Sequence, residues 1–330
     1  MKLLRPTVEE GAVGLRAMVT VARAPGEIAN PARGLIEAAQ KVLLGSAEPI
    51  DDLAPVSPEE LATTIERPEI RNQLVNGMVL ATLSAGEPPP KQVEVVRSFA
   101  NALSVSGPQL SAIEKIANHD MLLFKLCVLR NGHLPDAIKD EVRHHGILGL
   151  AKSVLGLRGL REDAEVAARF RAWESLPPDS LGGHVYRHYR ENGFAFPGEE
   201  GGFPEAGMYH DFSHVLAGYD TTPQGETLVG GFIAGYREKR PDHGLFTALF
   251  VLSIFSTGVD VTPIGVGAST GTVGDVAERF FLAIERGSAL PEDLSEDWNF
   301  WDSIELPLEE ARVRLGIPPK AEVGPGDYPF

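Results

Sequence analysis

Residues 204–226 read Pro204-Glu205-Ala206-Gly207-Met208-Tyr209-His210-Asp211-Phe212-Ser213-His214-Val215-Leu216-Ala217-Gly218-Tyr219-Asp220-Thr221-Thr222-Pro223-Gln224-Gly225-Glu226. Pro204 suits a first helical turn, where its missing N–H has no partner to lose. Gly218 is a helix-terminating residue, and Thr221-Thr222-Pro223 turns the chain into a second helix. The stretch therefore predicts helix, tight turn, helix. His210 and His214 are four apart and share one helix face, with Asp211 about 100° round from His210. Glu226 falls in the first turn of the next helix and can fold back toward them. Two imidazoles with one or two carboxylates are a common ligand set for a divalent metal that keeps a position open for substrate. The candidate metal and catalytic residues are His210, Asp211, His214 and Glu226.

The same helical reading extends both ways. Helical periodicity dominates and strand-like alternation with hairpin turns is nearly absent, so the expected fold is all-α. Helices are expected over residues 8–24, 31–44, 71–85, 90–104, 108–130, 164–175, 183–192, 204–217, 225–238, 243–257, 273–286 and 307–315. Residues 139–161 carry Gly146, Gly149, Gly156 and Gly159 among basic residues. Glycine weakens a helix by about 1 kcal/mol relative to Ala, so this segment reads as a solvated connection between two helical domains, 1–150 and 151–330. Contact of its Arg and Lys with a membrane surface is the alternative.

The first third holds an internal repeat. Met18-Val19 and Gly26-Glu27 return sixty residues later as Met78-Val79 and Gly86-Glu87, with Leu35/Val95, Ile36/Val96 and Leu43/Leu103 in register. Two helical hairpins joined by the Pro- and acid-rich residues 47–58 give this pattern. This region resembles the small helical domain of tellurite-resistance TerB-like proteins. In those an Asp before the turn glycine helps form a metal site. Pro25 and Ala85 stand there in this chain, so the resemblance implies a degenerate bundle without that site.

Charge and composition exclude several functions. The 330 residues include 46 acidic and 30 basic side chains, a net charge of −16. Such a chain does not gather nucleic-acid phosphates, and charge alone does not hold it on an anionic bilayer. The single cysteine, Cys127, rules out an internal disulfide or a cysteine-rich zinc module and reads as packing. The start is too short and too soon interrupted by Pro6 to read as a signal peptide. The longest apolar stretch, residues 245–257, is short of the roughly 20 residues a spanning helix needs. The expectation is a cytoplasmic, non-spanning protein.

Other features read more plainly. His184 and His188 are also four apart, but beside Arg187 and Arg190 they read as a polar helix face that could also line the site. His119, His133 and His243 are isolated, and His144-His145 point different ways. Gly265-x-Gly267-x-x-x-Gly271 lacks the spacing of a phosphate loop and reads as a loop before a helix. Residues 292–297 read as a solvated acidic segment leading to Trp298 and Trp301.

The pattern His210-Asp211-x-x-His214, eleven residues, Glu226 resembles the signature of the Coq-four family of coenzyme Q (ubiquinone) biosynthesis proteins. Leu176-Pro177-x-x-Ser180-Leu181-Gly182 with Tyr186 looks like that family's upstream helix start, and Gly218–Thr222 with Gly225-Glu226 like its turn. Residues 286–317, through Trp298, Glu310 and Arg312, look like its closing segment. The resemblance spans roughly residues 165–318. It implies an all-α fold, a divalent metal on His210, Asp211, His214 and Glu226, and a pocket for a prenylated quinone precursor or another isoprenoid lipid. It also implies peripheral contact with the inner membrane face through the prenyl tail, a homodimer, and quinone biosynthesis proteins as partners. The activity implied is oxidative decarboxylation of a prenylated hydroxybenzoate, the ring carboxylate being replaced by hydroxyl. A non-enzymatic lipid-binding scaffold is the alternative. Zinc is the expected metal on ligand type, with iron or manganese attractive for oxidative chemistry. Phe212, Val215, Leu216 and residues 245–255 are the expected dry walls. An HD-type phosphohydrolase is the remaining alternative, because His210-Asp211 are adjacent. It needs further ligands, for which His184 and Asp260 or Asp275 are candidates.

Overall fold

Short polar caps and prolines set where the helices begin. Thr7 accepts from Glu10 N and Glu10 reaches back to Thr7 N, a capping box that starts α1 (Val8–Ala22). Pro31, Pro58, Pro68, Pro90 and Pro108 stand in the first turns of α2 (Asn30–Ala39), α3 (Pro58–Thr64), α4 (Pro68–Ser84), α5 (Pro90–Ala102) and α6 (Pro108–Ala117). Asp163 caps α7 (Ala164–Arg171), and Ser180 caps α8 (Leu181–Asn192). Then follow α9 (Met208–Ala217), α10 (Pro223–Tyr236), α11 (Val273–Ser288) and α12 (Leu308–Arg314). This computed structural model describes residues 2–118, 163–237, 244–249, 251, 273–296 and 298–328. Among them there is no β-strand, only isolated bridges between Ser180 and Pro307 and between Tyr219 and Asp327. The fold is all-α. No helix among the described residues is long and apolar enough to cross a membrane.

The internal repeat is visible as two helix pairs, α1–α2 and α4–α5. Met18 and Met78 are both buried. Gly26 and Gly86 occupy matching turns with φ of +136° and +105°, a region open to glycine and strained for most other residues. The connector at residues 47–58 is more ordered than its composition suggests. Arg23 donates to Leu53 O and Ile50 O, Ile50 and Val56 are buried, and Ser57 caps α3, a helix that the sequence reading missed.

The expected domain boundary at 150/151 and the glycine-rich connection at 139–161 lie outside the described residues. So do His119, His133, His144, His145, His243, Cys127, Asp260 and the glycine loop at 265–271. The described parts of both halves share one apolar cluster. Helix α11 packs against both α10 and α2, and the ion pairs Lys41–Glu278 (2.7 Å) and Arg5–Glu285 (2.8 Å) tie it to the turn after α2 and to the segment before α1. Glycines bring α10 and α11 close. A Cβ at Gly235 would lie 2.3 Å from Ile284 O, and one at Gly287 2.0 Å from Phe232 O.

Helix α9 lies between α8 and α10. Its inner face is pinned by Phe212, whose ring meets Phe300 at 4.7 Å, Trp298 at 5.1 Å and Trp173 at 5.9 Å. Aromatic pairs of this kind anchor a core beyond the area they bury.

Candidate metal centre

The turn between α9 and α10 is over-determined, and it delivers Glu226 to the histidines. Gly218 closes α9 in the left-handed region, with φ of +73°. His214 O accepts from both Gly218 N (2.8 Å) and Tyr219 N (3.0 Å). Asp220 Oδ1 accepts from Thr222 N, and Thr222 caps α10 through Gly225 N at 3.2 Å. Pro223 then opens the helix. Glu226 sits in that first turn, where the helix dipole favours its charge.

The C-terminal end of α9 carries the opposite polarity and is met by cations. Arg312 donates to Val215 O and Leu216 O (both 2.9 Å), Arg286 to Ala217 O (2.7 Å) and Lys320 to Gly218 O (2.7 Å). Carbonyls that a helix end leaves without partners are thereby satisfied. The segment 320–328 is bound to the same turn. Asp220 N donates to Gly326 O (2.9 Å), Tyr328 N to Gly218 O (3.2 Å), and Lys320 pairs with buried Asp327 (2.9 Å).

Three ligand atoms converge. His210 Nε2 and His214 Nε2 are 3.2 Å apart. Glu226 Oε2 is 3.4 Å from the first, and Oε1 is 3.3 Å from the second. Nitrogen and oxygen ligands held tetrahedrally at about 2.0–2.2 Å from one ion are spaced about 3.3–3.6 Å apart. The two imidazole nitrogens come close to that spacing, each faces one oxygen of the Glu226 carboxylate, and one ligand atom from each of the three residues lies within 4.8 Å of the others. His214 Nδ1 lies 3.0 Å from Tyr219 O. A carbonyl only accepts, so Nδ1 carries the proton and the neutral ring presents a lone pair at Nε2. His210, His214 and Glu226 thus form a group that could hold a metal ion. His214 is enclosed, with 1% of its side chain exposed, whereas His210 is 41% exposed. The group is closed on the His214 side and accessible on the His210 side.

Electrostatics keep the carboxylate charged. Burial works against ionisation of Glu226, but the charges and hydrogen bonds of His214 and His210 overcome it and hold its pKa far below the usual range. Burial pulls His214 down, and the Glu226 and Asp211 carboxylates reverse this, leaving its pKa raised.

Asp211 is differently engaged. Its Oδ2 accepts from Tyr189 Oη at 2.5 Å, and its Oδ1 lies 3.9 Å from His188 Nε2. Burial raises its pKa, but His188, His210 and Tyr189 together lower it. Burial and then Asp211 push the Tyr189 phenol well above its ordinary value, so Tyr189 keeps the proton it donates. Asp211 reaches the histidines through His188, whose ring stacks on His214 at 5.4 Å. His188 is buried, its Nδ1 meets Tyr328 Oη, and its Nε2 has no hydrogen-bond partner. Burial lowers its pKa, so the ring is neutral at pH 7.

Sequence reasoning missed Tyr189 and Tyr328 and placed His188 on a polar helix face. Spacing alone does not tell which of His184 and His188 turns inward. His184 instead accepts from Arg187 at 3.0 Å. Of the expected dry walls, Phe212 belongs to the aromatic core, and Val215 and Leu216 are buried. Leu245, Phe246 and Leu249 are buried, and most of the remaining stretch to residue 255 lies outside the described residues.

No protein-family model matches the chain, and no curated protein matches it.

Proposed function

We propose that this chain is a metal-dependent relative of the Coq-four proteins, acting on the head group of a prenylated aromatic lipid in isoprenoid-quinone biosynthesis. The observation that carries the reading is the convergence of His210, His214 and Glu226 at 3.2–3.4 Å, with the His214 tautomer fixed by Tyr219 O. Zinc fits two imidazoles and one carboxylate with a position left open. When bound, the metal supplies Lewis-acid polarisation and a template for the head group.

The protein's own groups have distinct tasks. Glu226 stays ionised and His214 stays oriented, so the ligand face is organised before substrate arrives. The exposed edge at His210 admits a ring carboxylate and phenol. Tyr189 and Asp211 hold one proton between them beside the ligand group. The net change is loss of carbon dioxide and gain of a ring oxygen, a two-electron oxidation that takes an external oxidant. The lipid reaches the protein at the membrane surface, no helix among the described residues being long and apolar enough to cross the bilayer.

The experiment supplies the purified chain with a prenylated 4-hydroxybenzoate and dioxygen and measures carbon dioxide and the hydroxylated product. Turnover that requires the metal and is lost in Glu226→Ala, with lipid still bound, supports the enzyme. Lipid binding without turnover supports a scaffold in its place. Turnover undiminished in metal-free protein overturns the mechanism.

A further inference from the structure

The first helical pairs enclose a space that the metal centre does not use. A cavity of about 490 Å³ lies between α1, α2, α4 and α11, within the range of about 300–1,000 Å³ typical of small-molecule sites. Its deep walls are apolar and come from both halves of the chain: Leu35 and Ile36 of α2, Met18 of α1, Leu80 of α4 and Ile284 of α11 are all buried. Lys2, Glu69, Asn72 and Ser106 line it and are also exposed, so they mark its rim.

The polar groups in the wall are already committed. Gln73 accepts from Leu4 N (2.6 Å) and donates to Leu4 O (2.7 Å). Gln40 donates to Glu48 O and Gln109 to Asn76 Oδ1. Glu10 holds the α1 cap and Arg67. The wall therefore offers a ligand hydrocarbon contact rather than a set of convergent hydrogen bonds.

A second observation concerns glycine. Gly14 of α1 and Gly77 of α4 line the cavity in the middle of their helices, where glycine is less favourable than alanine. Neither lies in the positive-φ region. A Cβ at Gly14 would meet Leu74 at 3.6 Å, and one at Gly77 would meet Met18 Sδ at 3.6 Å. Both are ordinary contacts, so neither backbone geometry nor packing demands glycine. What the two positions have in common is the open space beside them.

We infer that this cavity is a binding site for a single hydrocarbon chain, acyl or prenyl, seated between the first helical pairs and α11 with its head group at the Lys2–Glu69 rim. It is a site separate from the one formed by His210, His214 and Glu226. Each methylene moved from water into the cavity tightens binding by up to about fourfold, from about 0.8 kcal/mol per buried CH₂.

The test is isothermal titration of the full chain with octanoate, decanoate and dodecanoate below their micellar concentrations, and with farnesol. One molecule per chain is expected, with affinity rising steeply from octanoate to dodecanoate. Competition between dodecanoate and farnesol tells whether the natural chain is acyl or prenyl, the tighter ligand naming it. Gly77→Leu should weaken dodecanoate at least tenfold. Gly77→Ala should weaken it less while keeping or raising the melting temperature, which separates filling from unfolding. His210→Ala should bind dodecanoate as the wild type does, so loss of the metal reading leaves this one standing. The inference is overturned if neither chain binds saturably, if octanoate and dodecanoate bind equally, or if folded Gly77→Ala and Gly77→Leu both bind as wild type.

Discussion

His210 and His214 enter the same ligand group from very different surroundings, and this gives a quantitative contrast. His214 has 1% of its side chain exposed and donates to Tyr219 O. His214→Ala leaves that carbonyl short of a buried partner, at about 1–3 kcal/mol, and opens a void where the ring was, for about 1–2 kcal/mol more. A total near 3 kcal/mol at about 2–4 °C per kcal/mol lowers the metal-free melting temperature by roughly 6–12 °C. His210 is 41% exposed, and its replacement falls in the class of surface changes worth about 0.5 kcal/mol or less, a shift below about 2 °C. Metal at a thousandfold excess over its dissociation constant stabilises the wild type by about 4 kcal/mol, roughly 8–16 °C on the same scale. Differential scanning calorimetry at pH 8, with and without a chelator, reads all three numbers. The wild type should lose its metal increment on chelation, and neither variant should respond. Metal-free His210→Ala should melt with metal-free wild type and His214→Ala well below it. The reasoning fails if metal-free His214→Ala melts within about 2 °C of metal-free wild type, or if His210→Ala keeps the full chelator response.

Two further outcomes follow from other contacts. The Arg67 guanidinium hydrogen-bonded to Glu10, helped by Thr7 N and opposed by burial, holds the Glu10 carboxyl at about 2, below its ordinary 4.5. The folded value lies below the unfolded one, so the stabilisation is complete above about pH 4.5 and is lost as pH falls toward 2. The urea midpoint of wild type should drop across that window, and that of Glu10→Gln should be flatter there. Equal slopes would remove Glu10 from the account. Tyr328→Phe deletes the partner of His188 Nδ1 and should cost about 1–3 kcal/mol in urea unfolding. A loss of less than about 0.3 kcal/mol would show that the 320–328 segment does not secure His188.

Local signals carried most of the helical skeleton. Pro90 and Pro108 mark helix starts, whereas the helices expected from residues 71 and 225 begin earlier, at Pro68 and Pro223. Gly218 marks the end of α9, and the sixty-residue echo of Met18 by Met78 marks paired hairpins. Three of the four proposed ligands were legible because helix period and a short turn fix where they meet. Asp211 was less legible. Spacing puts it near the histidines but does not show that Tyr189, from α8, stands ready to donate to its carboxylate. The burial of His188 and the binding of residues 320–328 over the α9–α10 turn are products of long-range packing, in which Tyr328 meets a residue 140 positions away. The cavity between α1, α2, α4 and α11 was not legible at all, because a space is defined by four helices together. Gly14 and Gly77 are in hindsight its trace in the sequence.

The central claim is that His210, His214 and Glu226 hold one divalent ion. It is tested most directly by metal analysis of freshly purified wild type beside His210→Ala, the variant that leaves the buried structure intact. The account predicts close to one equivalent of a single divalent metal per wild-type chain, zinc foremost, and less than about a tenth of that in His210→Ala. Undiminished metal in His210→Ala, or a wild type that takes up no divalent ion on reconstitution, would contradict it.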